Sequence, residues 1–128
     1  MGQQQLLLIV LGVIIVGIAV VVGISVFTAS SSSANRDAVI ADLTNLASLA
    51  QQYYRKPGAL GGGDRTFTGW TVPASLDTTG NGIYTATAAA QSVTLVGTGN
   101  ENGNNGTSVV QVTMVVGPDA ISSTTINN

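Results

Sequence analysis

Residues 6–27, LLLIVLGVIIVGIAVVVGISVF, run for twenty-two positions without one charged side chain. Nothing else in the chain restricts its folding as strongly, because about 20 apolar residues at a helical rise of about 1.5 Å each cross the hydrocarbon of a bilayer. A helix on a water-soluble protein keeps a polar face, whereas here Leu6, Ile9, Val13, Val16 and Val20 are interleaved with residues just as apolar. Such a surface needs lipid around it or a wall of other apolar helices. The competing reading is a secretory signal, with Thr28, Ala29 and Ser30 supplying small residues for cleavage. Signals of that kind open on a positive region and carry an apolar stretch of roughly 7 to 15 residues. The first positive side chain here is Arg36, so the expectation is a retained anchor.

The remaining length allows one domain beyond the apolar segment, about ninety residues from Arg36 onward. Charged residues make up 8 % of the chain, against about 25 % in ordinary soluble proteins. The net charge is −2, and four Lys and Arg cannot build the basic stripe that a phosphate backbone requires, so no nucleic-acid partner is expected. The chain has no Cys and no His. Thiol catalysis, thiolate metal sites and imidazole acid/base chemistry are thereby excluded, as is disulfide stapling. A domain this small without staples gains stability by packing against copies of itself. The six acids are scattered, with no close pair beside a lysine cradle, so no catalytic, metal or cofactor residue is assigned and no enzyme is expected. Asp37 and Asp42 read as the solvated side of a helix.

After the apolar run, residues 29–34 (ASSSSA) form a serine-rich hinge or a weak patch of helix, and Asn35 is placed to cap a new helix with Asp37 in its first turn. The stretch DAVIADLTNLASLAQQYY then puts Val39, Leu43, Leu46, Ala50 and Tyr53 on one amphipathic stripe. Pro57 and Gly58 end it. If helix runs unbroken through the serines, the rod to Tyr54 is about 80 Å long. From Leu60 the texture changes to Gly, Thr, Asn and Val, with strands expected in GIYTATAA, QSVTLV and SVVQVTMVV. Alternation sets Val110, Val112, Met114 and Val116 on one face, with Val93 and Leu95 likewise together. That face is expected to cover the helix stripe and leave a threonine-rich face outside. Turns are expected at residues 77–82 and in a long loop over residues 97–106. The organisation is thus an apolar helix over residues 1–28, a hinge and amphipathic helix over 29–57, and a glycine-rich connector with sheet over 58–128. The fold class is α+β, a long N-terminal α-helix with a small C-terminal antiparallel β-sheet packed on its second half.

Four local motifs compete with this plain architecture. Asp77, Thr79, Asn81 and Gly82 imitate the start of a calcium loop, but the twelfth position, where an EF-hand needs Glu, is Ala88. VTLVGTGNENG imitates a strand feeding a phosphate loop, yet no Lys follows and no helix opens, so a hairpin loop is expected. Asn105-Gly106-Thr107 matches an N-glycosylation triplet, which makes Asn105 a candidate for sugar. Tyr53, Tyr54, Phe67 and Trp70 are expected to form a small core between helix and sheet rather than a binding platform.

The order of parts, MGQQQLLLIVLGVIIVGIAVVVGISVF at the start, then DAVIADLTNLASLAQQYY, a glycine-rich connector and a small antiparallel sheet, resembles the type IV pilins and related pseudopilins. The match in residues is confined to the first fifty-four, and beyond them the likeness is one of architecture. The resemblance implies a structural subunit, a major pilin, that waits in the inner (cytoplasmic) membrane and polymerises into an extracellular pilus on the cell surface. The alternative within the resemblance is a minor pseudopilin or membrane-anchored binding module of a secretion or uptake machine. Its partners would be copies of the chain in a helical homo-oligomer, the membrane before assembly, and the assembly and leader-processing machinery.

Members of that family usually carry a glutamate at the fifth position of the mature chain, and this sequence offers Gln5. With Met1 as the first mature residue, Gln5 occupies the glutamate's place and a basic leader ending in glycine has been removed beforehand. With Met1-Gly2 as a minimal leader, Gln3 comes first and Leu7 takes that place. The first is the expectation. The same resemblance assigns subunit packing to Met1, Gln5, Leu6, Leu8, Ile9, Gly12, Ile15, Gly17, Val20 and Gly23. The three glycines either reflect the ordinary composition of membrane helices or suit close approach of helices, each also weakening the helix by about 1 kcal/mol and easing local unwinding.

Overall fold

A computed structural model describes residues 2–128; Met1 lies outside the described residues. Helix α1 runs unbroken over Gly2–Arg55. Of the two readings of the serines, helix is the one seen, with no fresh start at Asn35, and the reason is where the polar side chains go. Ser and Asn interrupt helices by bonding their own backbone. Here the Asn35 amide is taken by other segments: its Nδ2 donates to the Asn81 carbonyl at 2.9 Å. Its Oδ1 accepts the N–H groups of Asn100 at 3.1 Å and Glu101 at 3.3 Å. Ser32 Oγ likewise donates to the Asn102 carbonyl. The helix therefore keeps its own ladder. It stops at Arg55, two residues before Pro57, and a 310 turn at Gly58–Leu60 follows, closed by Gly61 at φ 83°.

The chain divides into two compact units, the helix up to Ser31 and the segment Ser32–Asn128. In the second unit five strands, β1 (Thr78–Thr79), β2 (Gly82–Ala88), β3 (Val93–Asn102), β4 (Val109–Val116) and β5 (Ile121–Ile126), pair in sequence order as one antiparallel sheet. The expected alternation holds: Val93 and Leu95 on β3 and Val110, Val112, Met114 and Val116 on β4 are buried together with Val39, Leu43, Leu46, Ala47 and Ala50 of α1. The fold is α+β, with the second half of the helix forming one wall of the core. Phe67, Trp70 and Tyr84 complete it. Tyr54 stacks at a tilt on Phe67 with ring centroids 4.8 Å apart, so the aromatic residues are core as expected.

Two expectations about the strands need correction. Residues 97–102 are strand rather than loop, since Gly97 pairs with Tyr84 and Val112, and Gly99 pairs with Gly82. Their glycines are set by close approach of the helix. A Cβ on Gly97 would lie 2.6 Å from Val39 Cγ1, and one on Gly99 would lie 2.1 Å from Asn35 Oδ1. Side chains at these two positions would lift α1 off the sheet. The second correction is β5, ISSTTI, where no strand was expected. Its pairing slips between Val115 and Val116, so that Ile121 and Ile126 both stand beside buried β4 residues although they have opposite sequence parity.

Candidate membrane and assembly surface

The first unit is helical, and its side chains from Gly2 to Ser30 are all exposed. Its most apolar eighteen-residue window has a mean hydropathy of 3.3 and none of it is buried, so it is long and apolar enough to cross a membrane. No face of this helix is buried: Leu8 is 69 % exposed, Ile9 62 %, Ile15 57 % and Val20 54 %. A water-soluble protein does not present a patch of this extent. The surface asks for lipid or for other apolar helices on every side.

The residues assigned to subunit packing fall on this surface. Gln5, Leu6, Leu8, Ile9, Gly12, Ile15, Gly17, Val20 and Gly23 are all exposed on α1, and Met1 lies outside the described residues. At about 3.6 residues per turn, Gln5 and Gly12 share one stripe, and Gly23, eleven residues beyond Gly12, returns to it; Gly17 lies on another face. A Cβ on Gly12, Gly17 or Gly23 would meet nothing within 4 Å. No contact inside the chain requires these glycines. Asn105 is exposed between β3 and β4. Its Oδ1 accepts the backbone N–H of Thr107 at 2.9 Å and of Ser108 at 2.8 Å, together with Asn128 Nδ2 at 3.2 Å. The imitation calcium loop is the β1–β2 hairpin, turning at Gly80 and Asn81.

Sequence reasoning missed the polar joint that holds the helix to the hairpin. Asp42 is not on the solvated side. Its Oδ2 accepts Tyr84 Oη at 2.5 Å, Thr79 Oγ1 at 3.1 Å and Asn81 Nδ2 at 3.1 Å. Burial pushes the Asp42 carboxyl up, but the hydrogen bonds from Tyr84, Asn81 and Thr79 together outweigh it and hold its pKa below the ordinary 3.8. Burial and donation to Asp42 push the Tyr84 hydroxyl well above its usual value of 10.0. The signal available in the sequence was Asp42 lying one position from the core residue Leu43, on the border of the stripe.

A carboxyl lowered on folding stabilises the fold above its unfolded value, and that contribution disappears as pH falls through the folded one. A phenol raised on folding stabilises below 10.0 and loses its contribution as pH rises beyond it. Thermal melts of a fragment beginning at Ser30 are therefore expected to fall below pH ~4 more steeply than those of its Asp42→Asn variant. Parallel acid limbs for the two would remove Asp42 from the account.

Comparison with protein-family models, curated proteins and solved structures finds no match for this chain.

Proposed function

We propose that the chain is a structural subunit, the major pilin of a type IV pilus-like filament, stored in the cytoplasmic membrane through its first helical unit and polymerised through that same surface outside the cell. The observation that carries the reading is the apolar, fully exposed helix joined to a folded sheet unit of low charge. Lipid tails and the side chains of neighbouring helices are equally apolar, so one stretch serves both environments and transfer between them costs little. The open glycines at 12, 17 and 23 give neighbouring helices room to approach. Gln5 departs from the family's glutamate by lacking charge. An amide hydrogen-bonds a neighbour's terminal amine without pairing its charge.

Electron microscopy of material sheared from cells, with mass spectrometry of its main band, is expected to find filaments built of this chain. A trace amount in that fraction would instead assign it to the minor components. Removing residues 2–29 is expected to leave a soluble monomer, because the surface demanding lipid or neighbours has gone. Filaments from the truncated chain would overturn the helix-packing account.

A further inference from the structure

The few charges of the Ser32–Asn128 unit are sorted by position along α1. Arg55, Lys56 and Arg65, three of the chain's four cations, lie where the helix ends. They are exposed there, with Asp64 and Asp119 as the acids alongside. Arg55 and Arg65 line a hollow of about 390 Å³ with Tyr54, Pro118 and Asp119. The one ion pair among the described residues, Arg55 to Asp119 at 3.6 Å, leaves those side chains 65 % and 94 % exposed. Lys56 and Arg65 take no ion pair there. This end therefore carries a net charge of +1.

The opposite end lies where α1 enters the unit, about 28 Å away at about 1.5 Å per residue. Exposed Asp37 and Glu101 belong to it, since the Glu101 backbone N–H donates to Asn35 at 3.3 Å. The remaining cation, Arg36, donates to Asn104 Oδ1 at 2.7 Å. This end carries a net −1. Asp42 and Asp77 lie between the two, joined to Tyr84 by the carboxylate and by a main-chain bond of 2.7 Å. The flank of the sheet formed by β5 carries no charge.

We propose that the Arg55, Lys56 and Arg65 end is a docking surface for the Asp37 and Glu101 end of a second copy of this chain. The inference rests on the filament reading above and adds the contact that sets axial order. Two different patches that meet head to tail produce an open polymer when the operation repeats, whereas a self-complementary patch closes into a dimer. The two ends are opposite in sign on one unit, so every copy offers a partner for the next. The β5 flank offers no competing electrostatic address. Each exposed pair contributes little by itself, but the contact recurs with every copy in the polymer, and screening at about 8 Å in physiological salt confines the effect to copies in register.

The test uses the full chain, expressed in cells, with filament yield as readout. One variant, Asp37→Lys with Glu101→Lys, has both ends positive. The other, Arg55→Glu with Lys56→Glu and Arg65→Glu, has both ends negative. Each alone is expected to give roughly tenfold fewer filaments, with the deficit shrinking in high salt. Co-expression of the two is expected to restore yield with both chains in the same filaments, because alternating copies again oppose unlike ends. Restoration also shows that both variants fold. Normal yield from each variant alone overturns the proposal, as does failure of the mixture to recover. Absence of filaments from the unaltered chain would overturn the filament reading itself, a different result from filaments indifferent to charge.

Discussion

Ile15→Arg is expected to abolish filament formation, since it places a permanent charge near the middle of residues 6–27 on a helix with no polar face to receive it. Ile15 is 57 % exposed, and its neighbours along the same stripe, Leu8 and Val22, are 69 % and 54 % exposed. A guanidinium at this depth costs about 2.5 to 3.5 kcal/mol in a bilayer by insertion scales. Snorkelling gives limited relief, because the uncharged helix end near Leu6 is roughly 13 Å away along the axis. Inside a bundle of identical helices the same charge recurs in every copy, so repulsion adds to desolvation. Ile15→Leu keeps the volume and should assemble normally. Fractionation separates the stages: chain in the membrane without filaments places the defect in assembly, and chain in neither place puts it in insertion. Wild-type filament yield from Ile15→Arg would mean that this face meets water, and the assignment of the helix surface would fail.

What was legible in the sequence was what periodicity and composition encode. Residues 6–27 carry a continuous apolar signal that needs no tertiary information. The stripe of Val39, Leu43, Leu46 and Ala50 and the alternation from Val110 to Val116 are each set by burial on one face, so a slip of register would expose every one of them. The aromatic core followed from the clustering of Tyr54, Phe67 and Trp70 near the helix end. Legibility failed where a residue's state depends on something distant in sequence. Asn35 resembles a cap because its usual partners are local, and only the arrival of Asn81, Asn100 and Glu101 turns it into a mid-helix clasp. Gly97 and Gly99 resemble loop glycines until α1 is laid against them. Strand β5 has isoleucines of opposite parity separated by Ser and Thr, and only the slip against β4 brings both beside buried residues. Asp42 was misread for the same reason, its three donors lying 37 to 42 residues away. The glycines of the apolar helix differ from all of these, because a Cβ on Gly12, Gly17 or Gly23 would meet nothing within 4 Å.

Val112→Asp is expected to unfold the sheet unit, and Gln111→Asp, one residue away, to leave it nearly intact. Val112 is fully buried, opposite Gly97 on β3 and Ile126 on β5, in the cluster that contains Val39 and Leu43. Burial of an unpaired carboxylate there removes apolar contacts and strands a charge with no donor. The cost, about 3 to 5 kcal/mol, is a large part of the roughly 5 to 10 kcal/mol that holds a domain of this size. The side chain of Gln111 is half-buried on the other face of β4 and meets Asn127 Nδ2 at 3.4 Å. Its backbone carbonyl, which accepts the Asn127 N–H at 2.9 Å, survives the change of side chain. A loss of about 0.5 kcal/mol is the expected scale for such a surface position. Thermal melts of the fragment beginning at Ser30 measure both, and acid supplies an internal check: the carboxyl introduced at 112 is tolerated better when protonated, so that variant should recover in part as pH falls toward 4, above the range in which the unaltered fragment loses the Asp42 contribution. A gain in the variant over a range where the unaltered fragment gains nothing would identify the buried charge as the cause. Equal losses from Val112→Asp and Gln111→Asp would place both faces of β4 in the same environment and contradict a helix packed on only one of them.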